Sequence, residues 1–284
     1  RSPSRGLGDV YKRQGIERKH QFVNLTEGIF KIYKAPYSNV SSSDQVKLLK
    51  MRKITSNDER DTLITKMKSG INASLMLDLI KEMPDFLTPY QNEEMYTYSS
   101  TDVVITDNRV ANVISFEQKK DIRAPLYRGE IYIDSENSAL LHARFEINPK
   151  YITQAAGMLV EKKSRLYKIT PQKVIYTVSY KLWNGHYYIN HVRGDLHFKI
   201  KRKKQLFNTF PLHAYFEMVT CKIDTSDVSR FTRNEVQPTR TIFSDTRFVY
   251  DKQFWGNFNI IPAEEKLNDA INKISSKIEE TESY

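Results

Sequence analysis

The chain has 284 residues, with 44 Lys+Arg against 34 Asp+Glu (net charge +10), 39% hydrophobic and 12% aromatic residues, and one cysteine. That length buries a useful core in one large domain or two small ones, and 17 Tyr with 14 Phe are too many for a disordered chain. No run approaches the roughly 18 apolar residues of a membrane-spanning helix, and a single Cys221 excludes an internal disulfide framework and a cysteine-based zinc site.

Arg1 to Gln14 ends in Asp9-Val10-Tyr11-Lys12-Arg13-Gln14, which matches one reading frame of a common sequencing-library transposon end. We read residues 1–14 as a library scar, disordered and outside the fold. The alternative is a genuine basic, flexible segment. Arg1, Arg5, Lys12 and Arg13 against Asp9 give the segment +3, leaving +7 of the +10 on residues 15–284. On this reading residues 15–284 form a single domain, and the natural start, with any signal peptide, lipidation cysteine or upstream domain, is missing.

Gln21 to Tyr37 is β-like, with Phe22, Leu25, Ile29, Phe30, Ile32 and Tyr33 ahead of Ala35-Pro36, and Gln45 to Thr55 reads as a second strand, basic at Lys47, Lys50, Arg52 and Lys53. Ser74 to Met83 is the first helix, because Leu75, Leu79 and Met83, with Met76 and Ile80, recur at helical spacing and Pro84 closes it. Ten residues are marginal as an isolated helix, so it must pack on a partner, and a sheet is the natural one.

From about Glu94 to Asp224 the pattern is one of successive antiparallel strands. Asp102 to Glu117 turns at residues 107–108, and Tyr127 to Asp134 pairs with Ala139 to Ile147. Lys173 to Leu182 pairs with His186 to Arg202, where even positions are apolar (Val174, Tyr176, Val178, Tyr180; Tyr188, Val192, Leu196, Phe198, Ile200). A two-residue Asn184-Gly185 loop would set an apolar face against a polar one. Because a one-residue slip inverts every side chain, we expect a three-residue loop pairing Leu182 with His186, with Gly185 left-handed. Lys150 to Glu161 reads as a short helix. Pro262 to Glu282 is the strongest helix, with Glu264 and Glu265 at its positive end and a stripe of Leu267, Ile271, Ile274 and Ile278. No repeat or low-complexity tract interrupts this. The expected fold class is α+β: one large curved antiparallel sheet covered on its apolar face by a few helices.

Three stretches together resemble a known family. Leu25 to Tyr37 is similar to its "EAV-x-x-IYKA-x-Y" segment, Gly129 to Asp134 to its "G-x-IYID" hairpin, and Phe254 to Pro262 to its "FW-x-x-YNII-x-P" motif. These belong to the carboxypeptidase-like regulatory domain proteins of Bacteroidetes-type bacteria, and the resemblance spans about residues 20–280. It implies an open half-barrel like that of the LolA/LolB lipoprotein carriers, and location in the periplasm or at the outer membrane. It also implies an upstream β-sandwich that this chain lacks. It implies no reaction.

Chemistry is sparse. His191 and His197 share a face of one strand but stand six residues, roughly 20 Å, apart and cannot ligate one metal through that strand alone; His142, His186 and His213 are scattered, and no zinc-type histidine spacing occurs. Cys221, in Met218 to Ile223, reads as a buried structural cysteine. No nucleophile elbow or phosphate-cradling glycine loop is present. Asp134, Glu146 and His142 would have to converge to support an uncharacterised hydrolase. Tyr187, Tyr188, Trp183, Phe254, Trp255 and Phe258 read as core before they read as a binding surface.

The densest cationic cluster is Lys199, Lys201, Arg202, Lys203 and Lys204. It lacks the groove-entering helix or stacking aromatics of a nucleic-acid site and reads either as a solvated strand end or as a contact for anionic lipid head groups or lipopolysaccharide phosphates. We therefore expect a non-enzymatic envelope scaffold or interaction module with no cofactor and no metal. Its partners would be envelope proteins, lipid or lipoprotein. The alternative is a periplasmic carrier holding a lipid or lipoprotein in the concave apolar face. A carrier needs an empty groove of some hundreds of cubic ångströms; a scaffold fills that space with Leu75, Leu79, Ile80 and Ile271.

Overall fold

The computed structural model describes residues 6–18, 21–37, 43–55, 71–106, 108–160, 165–204, 209–226 and 228–238. Ten strands run in chain order: β1 Gly6–Arg18, β2 Gln21–Lys34, β3 Gln45–Thr55, β4 Tyr96–Thr106, β5 Arg109–Gln118, β6 Tyr127–Asp134, β7 Leu140–Ile147, β8 Tyr167–Trp183, β9 His186–Arg202 and β10 Thr209–Asp224. They form one sheet in the order β3-β2-β1-β10-β9-β8-β7-β6-β5-β4, and the described pairs are antiparallel. Three short helices, α1 Ile71–Leu75, α2 Leu79–Glu82 and α3 Gln91–Met95, precede β4; a 3-10 turn at Ile152–Ala155 runs into α4, Ala156–Leu159. The expected α+β half-barrel is thus the observed architecture: a curved sheet left open between β3 and β4.

One buried carboxylate shows how far the sheet bends. Asp78, in the turn between α1 and α2, is fully buried. Its Oδ1 accepts the Tyr180 hydroxyl of β8 at 3.0 Å, and its Oδ2 meets the Lys34 ammonium at the end of β2 at 2.7 Å and the hydroxyl of Tyr37 at 2.5 Å. β2 and β8 are four strand spacings apart, about 19 Å along a flat sheet whose side chains would stand parallel. Those tips reach one carboxylate only if the sheet curls around it. Lys34 also pairs with Asp44, which Lys81 of α2 and the Ala35 amide engage as well. Burial opposes the charge on Lys34, but Asp78 and Asp44 outweigh it and hold the ammonium above its ordinary pKa.

The concave face is built in rows. One row reads Met51, Gly28, Lys12, Met218, Val192, Val178, Ala143 and Ile131 across eight strands. The next reads Gln14, Phe216, Gly194, Tyr176, Phe145, Gly129 and Phe116. Glycine stands among aromatics here for a steric reason. A Cβ on Gly194 would lie 2.5 Å from the Phe216 ring, and one on Gly129 would lie 2.3 Å from the Arg144 carbonyl. Phe86, beyond α2, fills the far end by stacking on Phe116 at 4.5 Å and packing against Phe145, Tyr96 and Tyr127.

Several expectations are corrected. The Ser74–Met83 helix is two short helices broken at residues 76–78, because the turn there aims Asp78 into the ion cluster and Met83 ends α2 in the left-handed conformation (φ 42°). Residues 6–14 are not disordered: they lie in β1, where Val10 and Ile16 face the core and the backbone pairs on both sides. The β8–β9 connection is the two-residue turn, with Asn184 and Gly185 both at positive φ (47° and 77°) and Trp183 opposite His186. Parity is restored farther in, where Asn190 bulges between Ser179/His191 and Tyr180/Ile189, so that Val178 still meets Val192. Gly185 is left-handed as expected. The exterior is not uniformly wet either: Leu25, Ile29 and Tyr33 of β2 are buried although they point away from the concave core, and Arg230 lies over the Tyr33 ring. The Pro262–Glu282 helix, Phe254, Trp255, Phe258 and Ile271 lie outside the described residues.

Replacing Asp78 with Ala leaves Tyr37 and Tyr180 desolvated without their acceptor and Lys34 with Asp44 alone, and should lower unfolding stability by about 3–5 kcal/mol. Chemical denaturation of the variant against the parent measures this, and a loss below about 1 kcal/mol would mean the cluster does not hold the curl.

Candidate functional site

Three regions hold the polar groups that could act. The first is a transverse row on the convex face: Arg52, Glu27, Arg13, Glu217, Arg193, Thr177, Arg144, Glu130, Ser115 and Ser99, one from each strand from β3 to β4. Its signs alternate through the first five members. Arg13 bonds Glu217 at 2.7 Å, Arg52 bonds Glu27 at 2.5 Å, and Glu217 also takes His191 at 2.8 Å. Tyr215 lies between the Arg13 and Arg193 guanidinium groups, 5.6 and 5.4 Å from its ring. Burial alone would raise the Glu217 pKa, but His191 and Arg13 hold it down.

Toward one end of this face stands a pair of histidines. His197 of β9 and His213 of β10 pair across the ladder and stack with ring centroids 4.5 Å apart. His213 lies between Asp195 at 3.2 Å and Glu17 at 3.6 Å. Burial works against its charge, yet the two carboxylates push its pKa up to about 9. His197 moves the other way, through burial and the charge on His213. His213 is therefore an imidazolium at neutral pH, and the stability it contributes is fully present below about pH 6.5 and lost as pH rises through about 9. Sequence spacing along one strand singled out His191 and His197; the partner across the ladder, His213, was visible only with the register. No group of three or more His, Cys, Asp or Glu among the described residues is arranged to hold a metal ion.

The second region is the end of β8, β9 and β10. Lys199 and Lys201 alternate outward along β9 while Phe198 and Ile200 turn in, and Lys168, opposite Lys201, extends the patch onto β8. Arg202 ends β9, and Lys203 and Lys204 lie in the turn after it, where the Lys203 amide donates to the Leu166 carbonyl. All five of the predicted cations are exposed, as are Arg165, Lys168 and Lys173. Residues 165–174, 196–204 and 209–216 contain no carboxylate. Leu166, beside this patch, is exposed too.

The third is the concave interior. Leu75 and Leu79 are buried against the sheet, whereas Ile80 is exposed at the rim. Among the described residues a partly open cavity of about 40 Å³ lies beside them, lined by Val10, Ile32, Leu75, Tyr188, Ile189 and Met218. A wider depression of about 560 Å³ lies over the convex face of β4–β8 and is polar, with Arg128 bonded to Glu146 inside it.

The remaining candidates disperse. Asp134 is held by Arg109 and the Tyr187 hydroxyl, which bring its pKa down to about 2, while Glu146 pairs with Arg128 six residues along the hairpin from Asp134, roughly 20 Å away. His142 packs edge-on to Tyr132. These three do not converge. Cys221 is exposed rather than buried, because it is the bulged residue between the Asp9/Lys222 and Val10/Thr220 pairs; partial burial still raises its thiol pKa. Tyr187, Tyr188 and Trp183 do not make one surface: Tyr188 lines the void, Tyr187 bonds Asp134 and Trp183 is exposed at the hairpin tip.

No family model matches the chain, and no curated protein matches it in sequence. Among solved structures it is similar to a DUF1329 family protein from Desulfovibrio piger, at 10% identity over 83% of this chain and 92% of that one, with a TM-score of 0.30. It is also similar to a putative outer membrane lipoprotein-sorting protein domain from Vibrio parahaemolyticus, at 9% identity over 81% and 88%, TM-score 0.29. A third is the MucA/MucB complex of Pseudomonas aeruginosa, at 12% identity over 75% and 88%, TM-score 0.21. At these scores the neighbours' functions carry no weight for this chain. The carboxypeptidase-like regulatory domain assignment finds no support in these comparisons. It rests on its motifs alone, of which the first runs through β2 to Tyr37, the second lies in β6 and the third lies outside the described residues.

Titrated by histidine NMR, His213 should show a midpoint near 9 and His197 one below 6.5. Asp195→Asn should bring the His213 midpoint down by more than about one unit; a midpoint that stays near 9 would remove Asp195 as a cause.

Proposed function

We propose that the protein is a non-enzymatic interaction module of the bacterial cell envelope, a LolA-like half-barrel that serves as a scaffold rather than as a carrier. The observation that carries this is the filled concave face. Leu75, Leu79 and Phe86 occupy the space a cargo would need, and the void left beside them is about 40 Å³, an order of magnitude below a pocket that sequesters a small ligand. The compartment rests on the sequence resemblance. No titratable cluster among the described residues combines a nucleophile with a positioned base, which is why a reaction is not part of the proposal.

The surface that makes contact is the basic strand end. Lys199, Lys201, Arg202, Lys203 and Lys204, extended by Lys168, carry positive charge with no carboxylate among them. Anionic head groups or lipopolysaccharide phosphates suit such a patch, at about 1 kcal/mol per cation near the surface.

Two measurements test this. Lipid extraction and mass spectrometry of the purified protein should find no stoichiometric lipid; one acyl lipid per chain would favour the carrier. Replacing Lys201, Arg202, Lys203 and Lys204 with Glu should abolish co-sedimentation with anionic vesicles at low salt, while the parent's binding weakens between about 50 and 200 mM salt. Unchanged binding by the variant removes the patch from the proposal.

A further inference from the structure

Among the described residues, the unmet buried polar atoms gather on β1. It lies between β2 and β10, with both edges paired. Its inward residues are Val10, Lys12, Gln14 and Ile16, so two polar side chains enter rows that are otherwise apolar or glycine over β2 and β10 to β6, save for Thr26 beside Gln14. Lys12 is fully buried. Its ammonium donates to Ser74 Oγ of α1 at 2.8 Å and lies 5.2 Å from the Phe216 ring, and burial lowers its pKa to about 7. Among the described residues three buried side-chain atoms lack a hydrogen-bond partner, Asp9 Oδ1, Arg13 Nε and Gln14 Oε1, and all three are on this strand. Unmet buried polar atoms are costly, and natural cores hold few.

The same strand fits at two outward positions. Arg13 stands between Glu27 and Glu217 in the charge row. Gly15 is small where it must be, since a Cβ there would lie 2.4 Å from the Tyr215 ring. The slot therefore specifies its occupant: apolar side chains inward at positions 12 and 14, a cation outward between them, and glycine at 15.

We propose that the slot between β2 and β10 is a strand-binding site that accepts, in trans, an extended peptide segment of pattern apolar–basic–apolar–glycine, with residues 6–18 as its replaceable occupant. Exchange keeps the main-chain hydrogen bonds on both edges, which supply the affinity in strand addition, and replaces the two inward polar side chains, Lys12 and Gln14, the second of which carries one of the three unmet atoms. This goes beyond the scaffold reading by supplying a way to engage a protein partner, and it does not depend on the basic strand end.

The test uses the full chain. A fluorescein-labelled peptide of residues 6–18 carrying Lys12→Met and Gln14→Val, followed by anisotropy, should bind saturably and at least about tenfold more tightly than the peptide without those changes, and hydrogen exchange of the chain's own residues 6–18 should rise as it saturates. Equal affinities, or no saturable binding by either peptide, overturn the proposal. In the chain itself, Lys12→Met should melt higher than the parent at pH 7. That gap should narrow toward pH 10.5, because the penalty for burying Lys12 is full below about pH 7 and fades as the unfolded-state ammonium discharges. A Lys12→Met chain that folds but melts lower than the parent at pH 7 also overturns it.

Discussion

A sheet of ten strands has no intrinsic reason to stop bending at a half-barrel, and in this protein the limit is set electrostatically. The Asp78 carboxylate is removed from water and must be surrounded by donors to exist as an ion. Its donors come from the end of β2, from the residue Tyr37 beyond it and from β8, so satisfying one buried charge fixes the separation of strands four places apart. Lys34 is in turn shared with Asp44, and Asp44 with Lys81. The α1–α2 segment is thus tied to the sheet by charge as well as by the burial of Ile71, Leu75 and Leu79.

The break in the helix and the filling of the concave face are one fact. A continuous helix over residues 71–83 would keep Asp78 on a helical face, committed to that face's direction. Interrupting the helix at residues 76–78 frees Asp78 to point inward, while Leu75 and Leu79, on either side of the break, both remain buried. A carrier would need a lid that lifts without breaking a buried ion cluster. Here lifting the helices would separate Asp78 from Lys34 and Tyr180 together. The helices over the concave face are therefore held by an ion cluster as well as by packing.

Strand content was legible in the sequence because alternation is a local signal: the Val174-to-Tyr180 and Tyr188-to-Ile200 patterns located β8 and β9, and Asn184-Gly185 marked their turn. The register between them was not legible, because two solutions satisfy the same parity requirement, a longer loop or a bulge, and the bulge at Asn190 has no signature of its own. The helix over Ser74 to Met83 carried a helical hydrophobic period that Leu75 and Leu79 still satisfy on either side of the break, while Met76, Ile80 and Met83 are exposed, so periodicity alone could not reveal it. Asp78 lies inside that stretch, and only its fully buried environment shows that it anchors the fold. Cys221 was misread for the same reason as the hairpin, since one bulged residue changes which side of the sheet a side chain occupies.

The distribution of charge separates structure from surface. On the convex face the row from Arg52 to Arg193 alternates in sign across neighbouring strands, and Arg52 with Glu27 and Arg13 with Glu217 close as ion pairs. At the strand end formed by β8 and β9 the alternation fails: eight cations stand exposed in residues 165–174 and 196–204, which hold no carboxylate. Self-repulsion makes such an arrangement unfavourable for an isolated domain, and the row next to it shows that this fold has pairing positions available. Among the described residues this strand end gathers cations without a carboxylate in the same segments, and an anionic surface would relieve their mutual repulsion.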